Sequence, residues 1–382
     1  MSEHRLNSFI SSATVELHSL ALGLKKQGKT VFSLAAGEPK LPAVSLLGGT
    51  KRIELGYPPV SGMDELKKLA SAWQNNIFRS KFSVNEVSVV PGAKMGIFLL
   101  LRALLKVGDT AVVISPYWVS YPQIIELCYG KTLIIKTTQE NDWKISPKDI
   151  ESIKEKTCKV LIINNGSNPC ATLYSKTELE LILKSSQKKG LFVISDEVYG
   201  CLTYDAHKFY SIGEFKQYKD MTAVLQSCSK TFALPGIRMG FVFASERVIK
   251  AVNALSSQTL SGVSLLSQHM ALRALKQAGS VVKKVNQEML VRRNLMAGLL
   301  KKYWGNAFGK PKCALYFFVK VSDLKKNVFN DRLFCDSLLK KYGVVIVPGS
   351  AFGQTGYVRL SFGSESKIIF KAIKLMAKFC GK

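Results

Sequence analysis

Leu191-Phe192-Val193-Ile194-Ser195-Asp196-Glu197-Val198-Tyr199 is a short β-branched and aromatic run that ends abruptly in two acids. It follows a helix-period segment, Thr177 to Lys189, in which Leu179, Ile182 and Leu183 share a face. The same alternation continues on both sides. Val87-Ser88-Val89-Val90, Thr110 to Ile114, Leu133 to Ile135 and Val160 to Ile163 precede it as strand-like runs; Ala223 to Leu225 and Phe241 to Phe243 follow. Strands alternating with helices imply an α/β fold, here a mostly parallel seven-stranded sheet covered by helices on both sides.

At 382 residues the chain exceeds what one hydrophobic core usually serves. Residues 245–300 read as mainly helical. Beyond 310, Ala314 to Val321 and Tyr357 to Phe362 read as strands, with helices at 328–341 and 364–379, which suits a smaller α+β domain. Val15 to Gln27 also reads as a helix and is expected to pack with that domain. The expected division is a large domain over 41–280 and a small one formed by 1–40 with 281–382.

With 47% hydrophobic and 21% charged residues, the composition is that of a chain with sizeable cores. No apolar run reaches the roughly 18 residues of a membrane span, and Met1 to Asn7 lacks the apolar stretch of a secretory signal. Eight cysteines lie singly with no CxxC pair, so neither a zinc site nor a disulfide framework is expected, and a reduced cytoplasm is the simplest compartment. Lys and Arg total 54 against 27 Asp and Glu, a formal charge of +27. The lysines are dispersed as pairs such as Lys67-Lys68, Lys283-Lys284 and Lys340-Lys341, without an arginine-rich arm or nucleic-acid-binding motif. A solvated basic surface is expected, with no membrane or nucleic-acid partner.

Open α/β sheets bind ligands at the C-terminal edges of their strands, and the chemically interesting residues cluster there. Pro91-Gly92-Ala93-Lys94 follows one strand and opens a helix, an anion-binding arrangement that is equally a common turn. Asp196 ends another strand, where an acid often only caps a helix. Ser227-Cys228-Ser229-Lys230 follows a third, with Arg238 eight residues beyond the lysine. The conjunction decides. Pyridoxal phosphate needs a lysine for a Schiff base, an acid facing its ring nitrogen and a multi-donor phosphate cup. Each candidate stands at the end of a different strand.

The chain resembles the class I aminotransferases of pyridoxal-phosphate fold type I, nearest the bacterial-type aspartate and prephenate aminotransferase branch. The likeness runs through Ala36-Gly37-Glu38-Pro39, Tyr57-Pro58-Pro59, Gly92-Ala93-Lys94, Pro116 to Pro122, Asn168-Pro169, Ser195 to Tyr199, Ser229-Lys230, Gly236 to Gly240 and Tyr357 to Ser361. The resemblance implies Lys230 as the Schiff-base lysine and proton carrier, and Asp196 as partner of the ring nitrogen. Tyr199 and Asn168 would donate to the phenolic oxygen, and Trp118 would stack on the ring. Gly92, Ala93, Lys94, Ser227, Arg238 and Tyr57 would hold the phosphate, Tyr57 from the neighbouring subunit of a homodimer. Arg359 would bind the substrate α-carboxylate, helped by Asn168 and Gly37.

Lys94, with Ser12 and Thr14, favours a dicarboxylic pair: aspartate as amino donor and 2-oxoglutarate as 2-oxo-acid acceptor. A prephenate or aromatic aminotransferase and a β-lyase of the same fold are the alternatives; a basic, non-enzymatic binding protein is the remote one. Three departures from the family pattern bear on specificity. The stretch between Gly37 and Tyr57 is about five residues short, Cys170-Ala171 replaces a common Thr-Gly, and Gly166 replaces a frequent proline.

Overall fold

The computed structural model describes residues 12–41 and 56–382; the Met1 to Asn7 stretch and most of the shortened 37–57 segment lie outside them. After a two-residue strand, β1 (Phe32–Ser33), the seven expected strands all form. They are β2 (Val87–Val90), β3 (Thr110–Ser115), β4 (Lys131–Lys136), β5 (Cys158–Asn164), β6 (Phe192–Asp196), β7 (Thr222–Ser227) and β8 (Gly240–Ala244). They make one sheet in the order β2-β8-β7-β6-β5-β3-β4. β2, β7 and β8 are buried along their whole length, as strands covered on both faces are. β4 closes one edge with exposed Lys131 and Lys136, charges that discourage pairing with another chain.

One strand is reversed. β8 runs antiparallel to both β2 and β7, so it begins where they end: Val90 and Ser227 both pair in register with Gly240. Two strand ends and one strand start therefore converge on a single glycine. A Cβ at Gly240 would lie 2.8 Å from the Ala93 nitrogen, 2.9 Å from the Gly92 carbonyl carbon and 3.0 Å from the Gln226 oxygen, all backbone atoms.

Outside the seven-stranded sheet, the remaining strands form a three-stranded and a two-stranded sheet with helices packed on them. β9 (Tyr316–Lys320), β10 (Val344–Val345), β11 (Val347–Pro348) and β12 (Tyr357–Ser361) follow in sequence. β12 lies between β11 and β9 in an antiparallel sheet, while β1 pairs in parallel with β10. Helices Ala13–Lys26, Asp331–Tyr342 and Ser366–Phe379 pack on these strands. The last of these buries Ile369, Ala372, Ile373, Met376 and Ala377 on one face and packs against the helix Ala278–Trp304.

Boundaries move where local chemistry decides them. The helix expected from 328 starts at Asp331, because the Asn330 side chain accepts the Leu333 N–H at 3.0 Å. The helical region 245–300 resolves into Glu246–Thr259, Leu265–Lys276 and Ala278–Trp304; its first break is at Ser261-Gly262, both at positive φ. Lys67, expected on a solvated face, is buried, with Asp64 at 3.0 Å and Ser61 Oγ at 3.3 Å. Among the described residues no helix is long and apolar enough to cross a membrane, and no His, Cys, Asp or Glu group is arranged to hold a metal.

Gly240→Ala should lower stability by about 2 kcal/mol, since rigid backbone surrounds the added methyl on three sides. Chemical denaturation reads the change; a midpoint equal to that of the parent protein would show that the convergence tolerates a side chain.

Candidate active site

The junction of β2, β7 and β8 sets one wall of a cavity of about 220 Å³. Gly92 caps the helix Ala93–Leu104 at φ +83, a conformation that suits glycine. A Cβ there would meet Arg238 Nη2 at 2.6 Å, so the missing side chain is what lets the guanidinium lie against the turn. Arg238 itself adopts φ +51 and donates from Nη1 to the Pro235 carbonyl at 2.9 Å. Ser227 ends β7, and its hydroxyl oxygen accepts the Ser229 N–H at 3.1 Å, starting the single turn that carries Lys230. The start of the helix Ala93–Leu104 and the Arg238 guanidinium thus lie together near Ser227, whose hydroxyl donates to the Met239 carbonyl at 3.3 Å, and a helix N-terminus beside a guanidinium suits an anion.

Lys230 Nζ donates to the Gly37 carbonyl at 2.6 Å. Burial pushes its amine down to about 8; Glu38 and Asp196 oppose the shift, while Arg359 and Arg238 reinforce it. Asp196, at the end of β6, accepts the Tyr121 hydroxyl at 2.7 Å. Burial lifts its carboxyl to about 6 against that hydrogen bond, so it remains mostly ionised at neutral pH. Asn164 ends β5, donating from Nδ2 to the Asp196 carbonyl at 2.9 Å and accepting the Asn168 N–H at 2.8 Å.

Arg359 enters from β12. It is 1% exposed and lies between two rings, Tyr316 at 4.4 Å and Phe352 at 5.0 Å. Nη1 donates to Asn168 Oδ1 at 2.8 Å and Nη2 to the Ala35 carbonyl. Among the described residues Nε finds no partner although it is buried.

Lys94 stands one residue into its helix with Nζ 5.0 Å from the centre of the Trp118 ring. Burial, then Arg238, holds its amine below the usual lysine range. Trp118 packs edge-on against Tyr121 at 5.3 Å. Thr14 reaches the opposite rim, its hydroxyl 3.0 Å from Ser12 Oγ.

The cavity lining therefore unites residues selected from the N-terminal helix (Thr14), the Gly37 turn, the β2 helix start (Ala93 and Lys94), Trp118, Asn168, Asp196, Tyr199, the Ser227 to Arg238 loop and Arg359. Gly92 lies behind the lining, against Arg238. Tyr57 stands apart, 94% exposed and outside this wall. Sequence reading missed Tyr121, Asn164, Val198 and Tyr316. Tyr121 and Asn164 could have been found as polar groups at the ends of the runs that carry Trp118 and Asn168; Tyr316 sits in an apolar strand and gives no such signal. At the departures from the family pattern, Gly166 and Ala171 both adopt positive φ, and the Ala171 carbonyl lies 3.0 Å from Cys313 Sγ.

Residues 29–372 match the family described as aminotransferase class I and II. An aspartate aminotransferase of Thermotoga maritima is 33% identical over 99% of both chains. A probable aspartate/prephenate aminotransferase of Aquifex aeolicus is 31% identical over 98% of this chain and 97% of that one. The structure of the Thermus thermophilus aspartate aminotransferase with maleate superposes with a TM-score of 0.91 at 27% identity, covering 99% of each chain.

Reductive methylation of the protein without added ligand should modify Lys230 with a midpoint near pH 8, because the neutral amine is the nucleophile and its fraction rises through that pH. Solvated lysines, at about 10.4, should lag behind. Peptide mass spectrometry across pH separates them, and a midpoint for Lys230 among the solvated lysines would contradict the burial argument.

Proposed function

The chain belongs to the class I and II aminotransferases, and from that premise we propose that it uses pyridoxal 5'-phosphate to move an amino group from aspartate to 2-oxoglutarate. The observation that carries the reading is the meeting of Lys230, Asp196 and Arg359 on one cavity beside an anion-binding turn. The donor set fits the cofactor. The Arg238 guanidinium against the Gly92 turn suits a phosphate, the buried Asp196 carboxylate suits a protonated ring nitrogen, and the Arg359 guanidinium in the cavity lining suits a substrate carboxylate.

In this reading the Gly92-Ala93-Lys94 amides, Ser227 and Arg238 hold the phosphate, with Tyr57 of a second subunit completing the cup. Trp118 covers a ring face, and Tyr199 and Asn168 serve the phenolic oxygen. Residues 41–280 form the cofactor-binding domain, and 1–40 with 281–382 the smaller one. When bound, pyridoxal phosphate supplies a conjugated electron sink for the charge that develops at the substrate Cα. The protein does the rest. Arg359 spends two of its five N–H donors on Asn168 and Ala35, and the remainder grip the α-carboxylate. Lys230 Nζ, kept partly neutral by burial, accepts the proton from Cα. Asp196, ionised above about 6, stabilises positive charge opposite it. Lys94 meets the distal carboxylate; the maleate in the Thermus relative is a dicarboxylate of that kind. The name of the Aquifex relative favours prephenate as a second acceptor. A reduced cytoplasm and a homodimer complete the proposal.

Titrating the pyridoxal-phosphate-loaded protein with aspartate should convert its absorbance near 400 nm to a shorter-wavelength band, and 2-oxoglutarate should restore it. Absence of any band after loading would sink the reading. Lys230→Ala should abolish transfer. Lys94→Ala should raise the aspartate KM about tenfold with little change for a monocarboxylic donor, the weight of one charge-assisted contact. Sedimentation at micromolar concentration should give twice the chain mass.

A further inference from the structure

Tyr316 belongs to none of the groups assigned a part above, yet it touches three of them. Its ring is fully buried in β9, and its hydroxyl oxygen lies 2.5 Å from that of Tyr199. The same hydroxyl is 3.4 Å from the Gly37 carbonyl, a long contact, and Gly37 has no room for a side chain because a Cβ there would collide with it. Its ring face carries the Arg359 guanidinium at 4.4 Å. One side chain thus bridges the group proposed for the cofactor oxygen, the group proposed for the substrate carboxylate, and the carbonyl that holds Lys230.

Two hydroxyls that share one hydrogen bond have one proton to spare, and its direction matters. If Tyr199 donates to Tyr316, the spare proton points at Gly37. If Tyr316 donates to Tyr199, Tyr199 keeps its own proton for a ligand. Gly37 loses little in the second arrangement, because its contact with the Tyr316 hydroxyl is long, 3.4 Å against 2.5 Å between the two phenols. Burial holds both phenols above their usual range, so neither ionises at working pH and both protons stay available. The charged groups that act on the pair are Arg359, Asp196 and Glu38.

We propose that Tyr316 is a positioning residue that donates its hydroxyl proton to Tyr199, leaving the Tyr199 proton free for the cofactor's phenolic oxygen, while its ring face fixes Arg359. The inference rests on the functional reading above. It assigns the hydroxyl and the ring separate effects: the hydroxyl acts on the cofactor end of the site, and the ring acts on the substrate-carboxylate end.

The test compares Tyr316→Phe, Tyr316→Leu and the parent protein, each loaded with pyridoxal phosphate, by pH titration of the visible band and by steady-state kinetics. Tyr316→Phe keeps the ring and loses the hydroxyl. Weaker donation from Tyr199 leaves the phenolic oxygen more basic, so the spectral midpoint should move up by about half a unit, the weight of one neutral hydrogen bond. kcat should fall several-fold, and the aspartate KM should stay within about twofold. Tyr316→Leu should show the same spectral shift and, in addition, a raised KM. A Tyr316→Phe midpoint equal to the parent's would overturn the proposal, as would a kcat loss matched by lost thermal stability without a spectral change. If the parent protein itself develops no pH-dependent visible band, the functional reading has failed, and the failure is read before any variant is compared.

Discussion

A guanidinium that is 1% exposed has to be answered from its surroundings, and the three-stranded sheet meets the end of the seven-stranded sheet where Arg359 is answered. It leaves β12 in the small antiparallel sheet and takes its acceptors from elsewhere: Asn168 in the loop after β5, and Ala35, 324 residues away in sequence. Aromatic faces from Tyr316 and Phe352 fill the directions in which it makes no hydrogen bond. Such a charge is tolerable only with the parts in this arrangement, so it constrains the geometry of the cavity as much as it equips it.

Around it the balance of charge is deliberately lopsided. Lys94, Lys230, Arg238 and Arg359 face the same space as Asp196, with Glu38 close enough to act on Lys230. Surplus positive charge inside low-dielectric walls attracts ligands with several negative groups. It also lowers the affinity of each amine for its proton, as Arg238 does for Lys94 and Lys230. The same cations thus serve binding and add to the larger effect of burial on the amines, and the formal charge of +27 extends the same sign over the chain.

Much of this was legible in the sequence, and for a definite reason. Strands buried on both faces must be continuously apolar, so runs such as Val160 to Ile163 announce themselves, and polar residues at their ends stand out against them. Lys230, Asp196 and Arg238 were visible in that way. The reversal of β8 was not, because three apolar residues in a row have no direction. Tyr316 was invisible because its neighbours read as ordinary core; its meaning comes from Tyr199, 117 residues distant. Tyr57 is exposed on the single chain and stands outside the cavity lining.

The hydrogen bond from Lys230 to Gly37 spans 193 residues, and the cations that help burial depress the amine come from Arg238 and from the distant Arg359. Contacts so distant in sequence close late, after the loops between them have been ordered. A partly folded chain therefore carries at position 230 an ordinary lysine, mostly protonated at neutral pH and slower toward aldehydes. The depressed amine is thus a property of the completed fold, since both its burial and the cations beside it are assembled from segments far apart in sequence.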